Sequence, residues 1–287
     1  WLDRTGRPIG GLEDLRVYDR GPAFSPDGTQ AAVAERIEDG WEISTIHLKS
    51  GARTRVTSDG FARNPLWAPD GRSIVYTSFH PGGQVLKRVA ADGSGVLDEM
   101  GPGRDAAFTA DGGTVLYSRE FQLFSRPTSG GGEGSTEVPL VSGPERALSP
   151  RPSPDGRFVS YVAVDPTTFT PTLLVRPLEA GDARWEISAL GSNPRWSGDG
   201  RRLFFAREGE VLEVDVQTTP SFRVGVPRRL FALRAIGSST AYPGFDVSPD
   251  GQRFLVVEPD DASATTSLVV VRSICSAAPS GNPNTRT

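Results

Sequence analysis

Short runs of alternating apolar and polar residues recur along the chain, and each opens on the same polar turn. The turn appears six times, as Phe24-Ser25-Pro26-Asp27-Gly28, Trp67-Ala68-Pro69-Asp70-Gly71, Phe108-Thr109-Ala110-Asp111-Gly112, Pro152-Ser153-Pro154-Asp155-Gly156, Trp196-Ser197-Gly198-Asp199-Gly200 and Val247-Ser248-Pro249-Asp250-Gly251. Successive turn aspartates are 43, 41, 44, 44 and 51 residues apart. Four residues past each aspartate lie Ala31, Ile74, Val115, Val159, Leu203 and Phe254, and six past lie Val33, Tyr76, Tyr117, Tyr161, Phe205 and Val256. Apolar residues two apart share one face of a strand. The motif therefore predicts strand, tight turn, strand, with proline presetting φ, aspartate bonding amides two residues on, and glycine accepting the positive φ.

A third strand is predicted over Trp41 to Leu48, Gln84 to Ala90, Phe121 to Arg126, Thr172 to Leu178, Glu210 to Val216 and Ser267 to Arg272. A weaker, more polar fourth follows in most repeats, as at Arg53 to Thr57, Arg184 to Leu190 and Arg223 to Phe231. Four antiparallel strands in a unit of about 40 to 45 residues are the signature of a propeller blade, and a blade apolar on both faces buries them only by stacking around an axis. The fold class expected is all-β, a six-bladed β-propeller of four-stranded antiparallel blades spanning 1–275 as a single domain, with a flexible tail over 276–287. The last repeat runs out after its third strand. Trp1 to Leu12, which has no motif of its own, is expected to supply the missing outer strand and close the ring.

Glycine (33) and proline (24) are abundant, which suits frequent turns. Ser129 to Ser135 reads as a flexible glycine-rich loop, and Leu233 to Gly244 as the insertion behind the longest spacing. The net charge of −4 without a basic block argues against nucleic acid as a partner. Cys275 is the only cysteine, so there is no internal disulfide and no cysteine-based zinc site. No apolar run is long enough for a membrane helix, so membrane insertion by this segment is not expected. The chain starts on Trp1 rather than Met, so a targeting segment removed upstream is compatible with it.

The x-Ser-Pro-Asp-Gly turn followed by an aliphatic-aromatic strand resembles the bacterial WD40-like repeat called PD40, found in the propeller of TolB and related proteins. The opening Trp1-Leu2-Asp3-Arg4-Thr5-Gly6-Arg7 and the closing Asp246-Val247-Ser248-Pro249-Asp250-Gly251-Gln252-Arg253-Phe254-Leu255 are more similar still to propellers on the C-terminal side of bacterial serine/threonine kinases. That resemblance implies an extracytoplasmic (periplasmic or cell-envelope) sensor or docking domain with a protein or peptide partner. It carries the fold better than the function, because scaffolds of this kind serve different partners. Ala110 and Gly198 stand where the motif has proline, and Pro152 where it has an aromatic, so blades three, four and five are expected to turn or pack slightly differently.

The six turn aspartates, Asp27, Asp70, Asp111, Asp155, Asp199 and Asp250, read as structural. His47 and His80 fall in different repeats outside any metal-ligand spacing. There is no Gly-x-Ser-x-Gly elbow, Walker loop or kinase glycine-rich loop, so neither catalytic residues nor a cofactor are expected. At the starts of the innermost strands stand Asn64, Asp105 and Asn193, with Arg63, Arg104 and Arg195 beside them. Acidic groups are too few there for a divalent-ion site, and a cationic funnel accepting a carboxylate is the better fit. The turn chemistry of Asn64-Pro65 and Asn193-Pro194 also explains those residues without a ligand. Trp67 and Trp196 read as inter-blade core. The expectation is a monomeric, non-catalytic binding module. A metal-dependent, lactonase-like hydrolase using the channel and a purely structural spacer are the alternatives.

Overall fold

A computed structural model of the chain describes residues 18–19, 21–128, 137–141, 143–179, 181, 183–233, 244–259 and 266–272. The glycine-rich loop, most of the insertion before the sixth motif, Cys275, the tail and the stretch from Trp1 to Leu12 lie outside the described residues.

Within each sheet the described strands pair antiparallel. The first sheet is β1 (Ala23–Phe24), β2 (Gln30–Ile37), β3 (Gly40–His47) and β4 (Arg53–Arg55). The second is β5 (Ala62–Trp67), β6 (Ser73–His80), β7 (Gly83–Ala90) and β8 (Val96–Pro102). The third is β9 (Arg104–Phe108), β10 (Thr114–Arg119), β11 (Gln122–Pro127) and β12 (Val138–Val141). The fourth is β13 (Arg146–Pro152), β14 (Phe158–Val164), β15 (Pro171–Pro177) and β16 (Trp185–Ala189). The fifth is β17 (Ser192–Trp196), β18 (Arg202–Arg207) and β19 (Glu210–Gln217), whose outer edge is covered by two pieces, β20 (Arg223–Val224) and β21 (Arg228–Ala232), separated by Gly225 and Pro227. The last sheet has three strands, β22 (Phe245–Val247), β23 (Arg253–Pro259) and β24 (Thr266–Arg272).

The expectation of six four-stranded blades is thereby corrected. The described residues form five complete blades and one three-stranded sheet, because only two described strands follow the last turn motif. Closure by an N-terminal strand is not among what they show.

The innermost strands nonetheless touch in a circuit, with β22 against both β17 and β1. The apolar core is divided accordingly, one cluster per interface. Residues four and six past each turn aspartate face the preceding sheet: Ile74 and Tyr76 pack with Ala32 and Ile43, Leu203 and Phe205 with Leu173 and Val175, and Ala31 and Val33 with Leu255 and Val257. Residues five past face the following one, as Val75 does against Val115 and Tyr117. This two-faced burial is what stacks the blades. Trp67 is buried and donates its indole N–H to the Ala23 carbonyl (3.1 Å) one sheet back, and Trp196 does the same to the Arg151 carbonyl (3.0 Å).

The turns repeat closely. Each aspartate accepts the amide two residues on, at 2.8–3.1 Å. The motif glycines have φ between 66° and 70°, in the departing repeats as well. Gly198 has its own reason, since a Cβ there would lie 2.4 Å from the Pro249 carbonyl oxygen of the next turn. In five turns a buried Ser or Thr completes the unit. The Ser153 hydroxyl, for example, donates to Asp155 (2.6 Å) while accepting the Phe158 amide (3.0 Å). In the second turn Ala68 takes this place with the same backbone bonds, Ala68 N–H to the Ser73 carbonyl at 2.9 Å and Gly71 N–H to the Ala68 carbonyl at 3.0 Å. Ala68→Ser is therefore expected to stabilise the protein by about 1 kcal/mol, and Ser153→Ala to destabilise it by about 1–3 kcal/mol. Urea unfolding of both variants checks the pair, and equal midpoints for Ala68→Ser and wild type would refute the first half.

The same bonds set an acid limit. The serine or threonine hydroxyl leads in holding Asp27, Asp111 and Asp199 below the usual carboxylate range. At Asp155 and Asp250 burial pushes upward more than any single bond pulls down, yet the bonds together win. A carboxylate lowered in the folded state contributes stability above its unfolded value of about 4 and loses it as pH falls through the folded one. Melting temperature is expected to be flat down to about pH 4 and to fall below it, which a scan from pH 7 to 2 measures.

Candidate functional site

Six residues before the turn aspartate the innermost strand of the second to fifth sheets breaks its pairing. In the second to fifth sheets two residues there oppose one on the neighbouring strand: Asn64 and Pro65 face Tyr76, Asp105 and Ala106 face Tyr117, Ser149 and Pro150 face Tyr161, and Asn193 and Pro194 face Phe205. The first bulge residue is left-handed each time, at φ 52°, 53°, 53° and 51°, and Gly21 holds the equivalent place at 86°. Asn, Asp and Gly are the residues that tolerate this conformation, which accounts for their recurrence. Bulges re-aim side chains. Here they place Asn64, Asp105, Ser149 and Asn193 around one cavity.

The result is a cavity of about 290 Å³ whose lining includes all six of the channel residues expected from the sequence: Arg63, Asn64, Arg104, Asp105, Asn193 and Arg195. It also includes Asp19 and Arg151, which sequence reasoning missed. The signal for Arg151 was available. Four residues before the turn aspartates stand Ala23, Leu66, Ala107, Arg151, Arg195 and Asp246. Arg151 thus shares a register with Arg195, whereas Arg63 and Arg104 belong to another, three residues earlier. Pro65, Leu66, Arg151 and Arg195 line both this cavity and a second one of about 390 Å³ among the turns. They form the waist of the channel.

Electrostatically the mouth has more cations than partners. Arg63 lies 3.6 Å from Asp19 and over the Trp41 ring at 4.7 Å. Arg104 lies 3.6 Å from Asp105, which also accepts the Asn64 amide at 3.1 Å. Arg195 bonds Asp246 at 2.6 Å, and Asn193 donates to the Phe245 carbonyl at 3.0 Å. Arg151 differs from these: its guanidinium meets the carbonyls of Pro150 (2.8 Å) and Ala106 (3.4 Å), with no carboxylate within 4 Å among the described residues. Burial, and after it the Arg195 charge, pushes Arg151 down to about 9, against the pull of Asp105 and Asp246, and the group remains charged at pH 7. A guanidinium held at the waist beside a second one is a site that an anion would relieve.

The described residues contain no group of three or more His, Cys, Asp or Glu able to hold a metal ion. His47 and His80 each accept a local backbone amide, from Ser50 and Gly82, and stay apart. The turn aspartates do not converge. Among the described residues no helix is long and apolar enough to cross a membrane, which says nothing about β-barrel membrane proteins.

No family model matches the chain. An uncharacterized protein of Agrobacterium fabrum (strain C58 / ATCC 33970) is 28% identical over 176 residues, covering 56% of this chain and 59% of that protein. Among solved structures, TolB from Acinetobacter baumannii superposes with a TM-score of 0.58 at 19% identity over 74% of this chain and 57% of its own. An oligogalacturonate lyase from Vibrio parahaemolyticus does so with a TM-score of 0.60 at 11% identity, over 94% and 95%. The match thus spans little more than half of TolB and of the sequence relative. At these identities the likeness concerns the scaffold. Blades, turns and channel together give this chain the fold of a TolB-like β-propeller.

Proposed function

We propose that the chain is a non-catalytic binding module that holds a protein or peptide partner at the channel mouth by an acidic group, within the docking or sensor part of a bacterial envelope or signalling protein. Arg151 carries this reading. Among the described residues it is the guanidinium at the waist left with carbonyl partners alone, in a cavity sized for one or two side chains and with Arg63 and Arg104 at the rim. The fold shared with TolB supports a recognition role and an extracytoplasmic location. A channel hydrolase would need convergent oxygen ligands, whereas Asp19 and Asp105, the cavity's carboxylates, are each taken up by an arginine.

Calorimetric titration with an amidated glycine peptide bearing one aspartate tests the reading. Binding to the wild type is expected, with at least a tenfold loss when asparagine replaces the aspartate or when Arg151→Met replaces the cation. Equal affinity for the aspartate and asparagine peptides would overturn it. A calcium titration is expected to give no heat of binding, and a saturable one would favour the hydrolase.

A further inference from the structure

A second feature lies beside the mouth, and the turn between β10 and β11 marks it. Arg119 pairs with Gln122, which leaves Glu120-Phe121 as a two-residue hairpin loop with φ of 51° and 64°. The fifth blade makes the same turn with Glu208-Gly209, at φ of 50° and 80°. Two positive φ values in succession call for Asn-Gly or a similar pair. A phenylalanine where the sister turn has glycine is strained, and nothing in hairpin formation asks for its ring. Phe121 is 41% exposed.

Phe169 repeats the anomaly across the blade boundary. It sits at φ 58° in the Asp165–Thr170 loop, where its N–H donates to the Asp165 carbonyl (2.9 Å), and it is 63% exposed. Between the two rings lies the Arg146 guanidinium, 4.6 Å from the Phe121 centroid and 5.3 Å from that of Phe169. Together with Leu148, Val162, Val164 and Pro171 they line a groove of about 250 Å³. Arg104 lines this groove and the channel cavity alike, and stacks over Phe121 at 5.3 Å. Exposed aromatics held in strained backbone, with Arg146 between them and Arg104 beside Phe121, also oppose the spacer reading.

We infer that this groove between the third and fourth blades receives a leucine or phenylalanine side chain of the same peptide whose acidic group enters the channel, the peptide backbone crossing Arg104. The inference rests on the channel reading above. Continuity through Arg104 and the surplus of cations along the path select an acidic, apolar-anchored peptide as the occupant.

The test uses amidated glycine peptides with one aspartate and one phenylalanine separated by one to four glycines, and a matching set with alanine for phenylalanine. They are titrated into the wild type, Phe121→Gly and Arg151→Met. At least one spacing is expected to bind the wild type about tenfold tighter than its alanine counterpart. Phe121→Gly is expected to erase that gain while keeping or raising the melting temperature, because glycine relieves the turn. A ring present only for packing would instead lower the melting temperature. If the alanine peptides bind through Arg151 and phenylalanine adds nothing at any spacing, or if Phe121→Gly keeps the gain, the groove inference fails and the channel reading stands. If neither set binds at about 1 mM, both fail.

Discussion

Asp246→Ala is expected to destabilise the protein by about 3–5 kcal/mol, among the largest effects of any single substitution in the channel. Asp246 accepts the Arg195 Nε–H at 2.6 Å and the Phe24 amide at 2.8 Å, so one carboxylate ties the inner strands of the fifth blade and the first to the three-stranded sheet between them. The pair is only 12% and 14% exposed. Removing the acid leaves Arg195 and Arg151 facing each other at the waist with the Phe24 N–H unsatisfied, the uncompensated buried charge that costs most. Asp246→Asn keeps an acceptor for Phe24 and is expected to lose less. Because the deficit is one of negative charge, sulfate should restore more stability to Asp246→Ala than to the wild type. Urea unfolding with and without sulfate measures both. A loss within about 1 kcal/mol would mean that the arginines are compensated in some other way.

The second large effect is expected at Glu42, far from any motif. Its carboxylate is buried and accepts the Thr57 hydroxyl, the Arg55 guanidinium (3.2 Å) and the Gly60 amide (2.8 Å). Thr57 in turn accepts the Ile43 amide at 2.8 Å. The chain leaving β4 for the second blade is thereby clamped onto β3, beside the point where the Trp41 amide bonds the Gly60 carbonyl at 2.9 Å. Glu42→Ala strands a buried hydroxyl and an amide together and is expected to cost about 3 kcal/mol, whereas Glu42→Gln retains one acceptor oxygen, enough for one of the two donors, and should cost less. Trp41 lies under Arg63, so Glu42→Ala should also weaken binding at the mouth modestly. Loss of stability with fully retained peptide affinity would separate the clamp from the site.

The residues that announced the fold are those whose chemistry is local. Asp-Gly with a serine two residues ahead of the aspartate dictates its turn without help from the rest of the chain, and the apolar pair after it dictates a strand buried on one face. The interrupted outer strand of the fifth blade was less legible, because Gly225 and Pro227 act inside a polar segment with little pattern to break. The channel was half legible. Asn64, Asp105 and Asn193 stood out as turn-formers, but their bulges depend on the strand opposite, which no local pattern displays. Arg151 was hidden by its repeat, where Pro152 stands in place of the aromatic that marks the register elsewhere. Glu42 gave no signal, since a glutamate in a strand reads as a solvated face until its three donors come from distant positions. Phe121 is the converse case: the sequence placed it in a strand, and only the sister turn at Gly209 reveals it as a residue that breaks a backbone rule.

The central claim is that the surplus guanidinium at the waist captures an acidic group, and arginine Nε–H resonances report on it residue by residue. On titration with the aspartate peptide, the signals of Arg151, Arg63 and Arg104 are expected to shift together and saturate, while those of Arg157 and Arg228, on the blade exteriors, stay in place. Shifts confined to the exterior arginines, or none at any of the three channel arginines, would contradict the account.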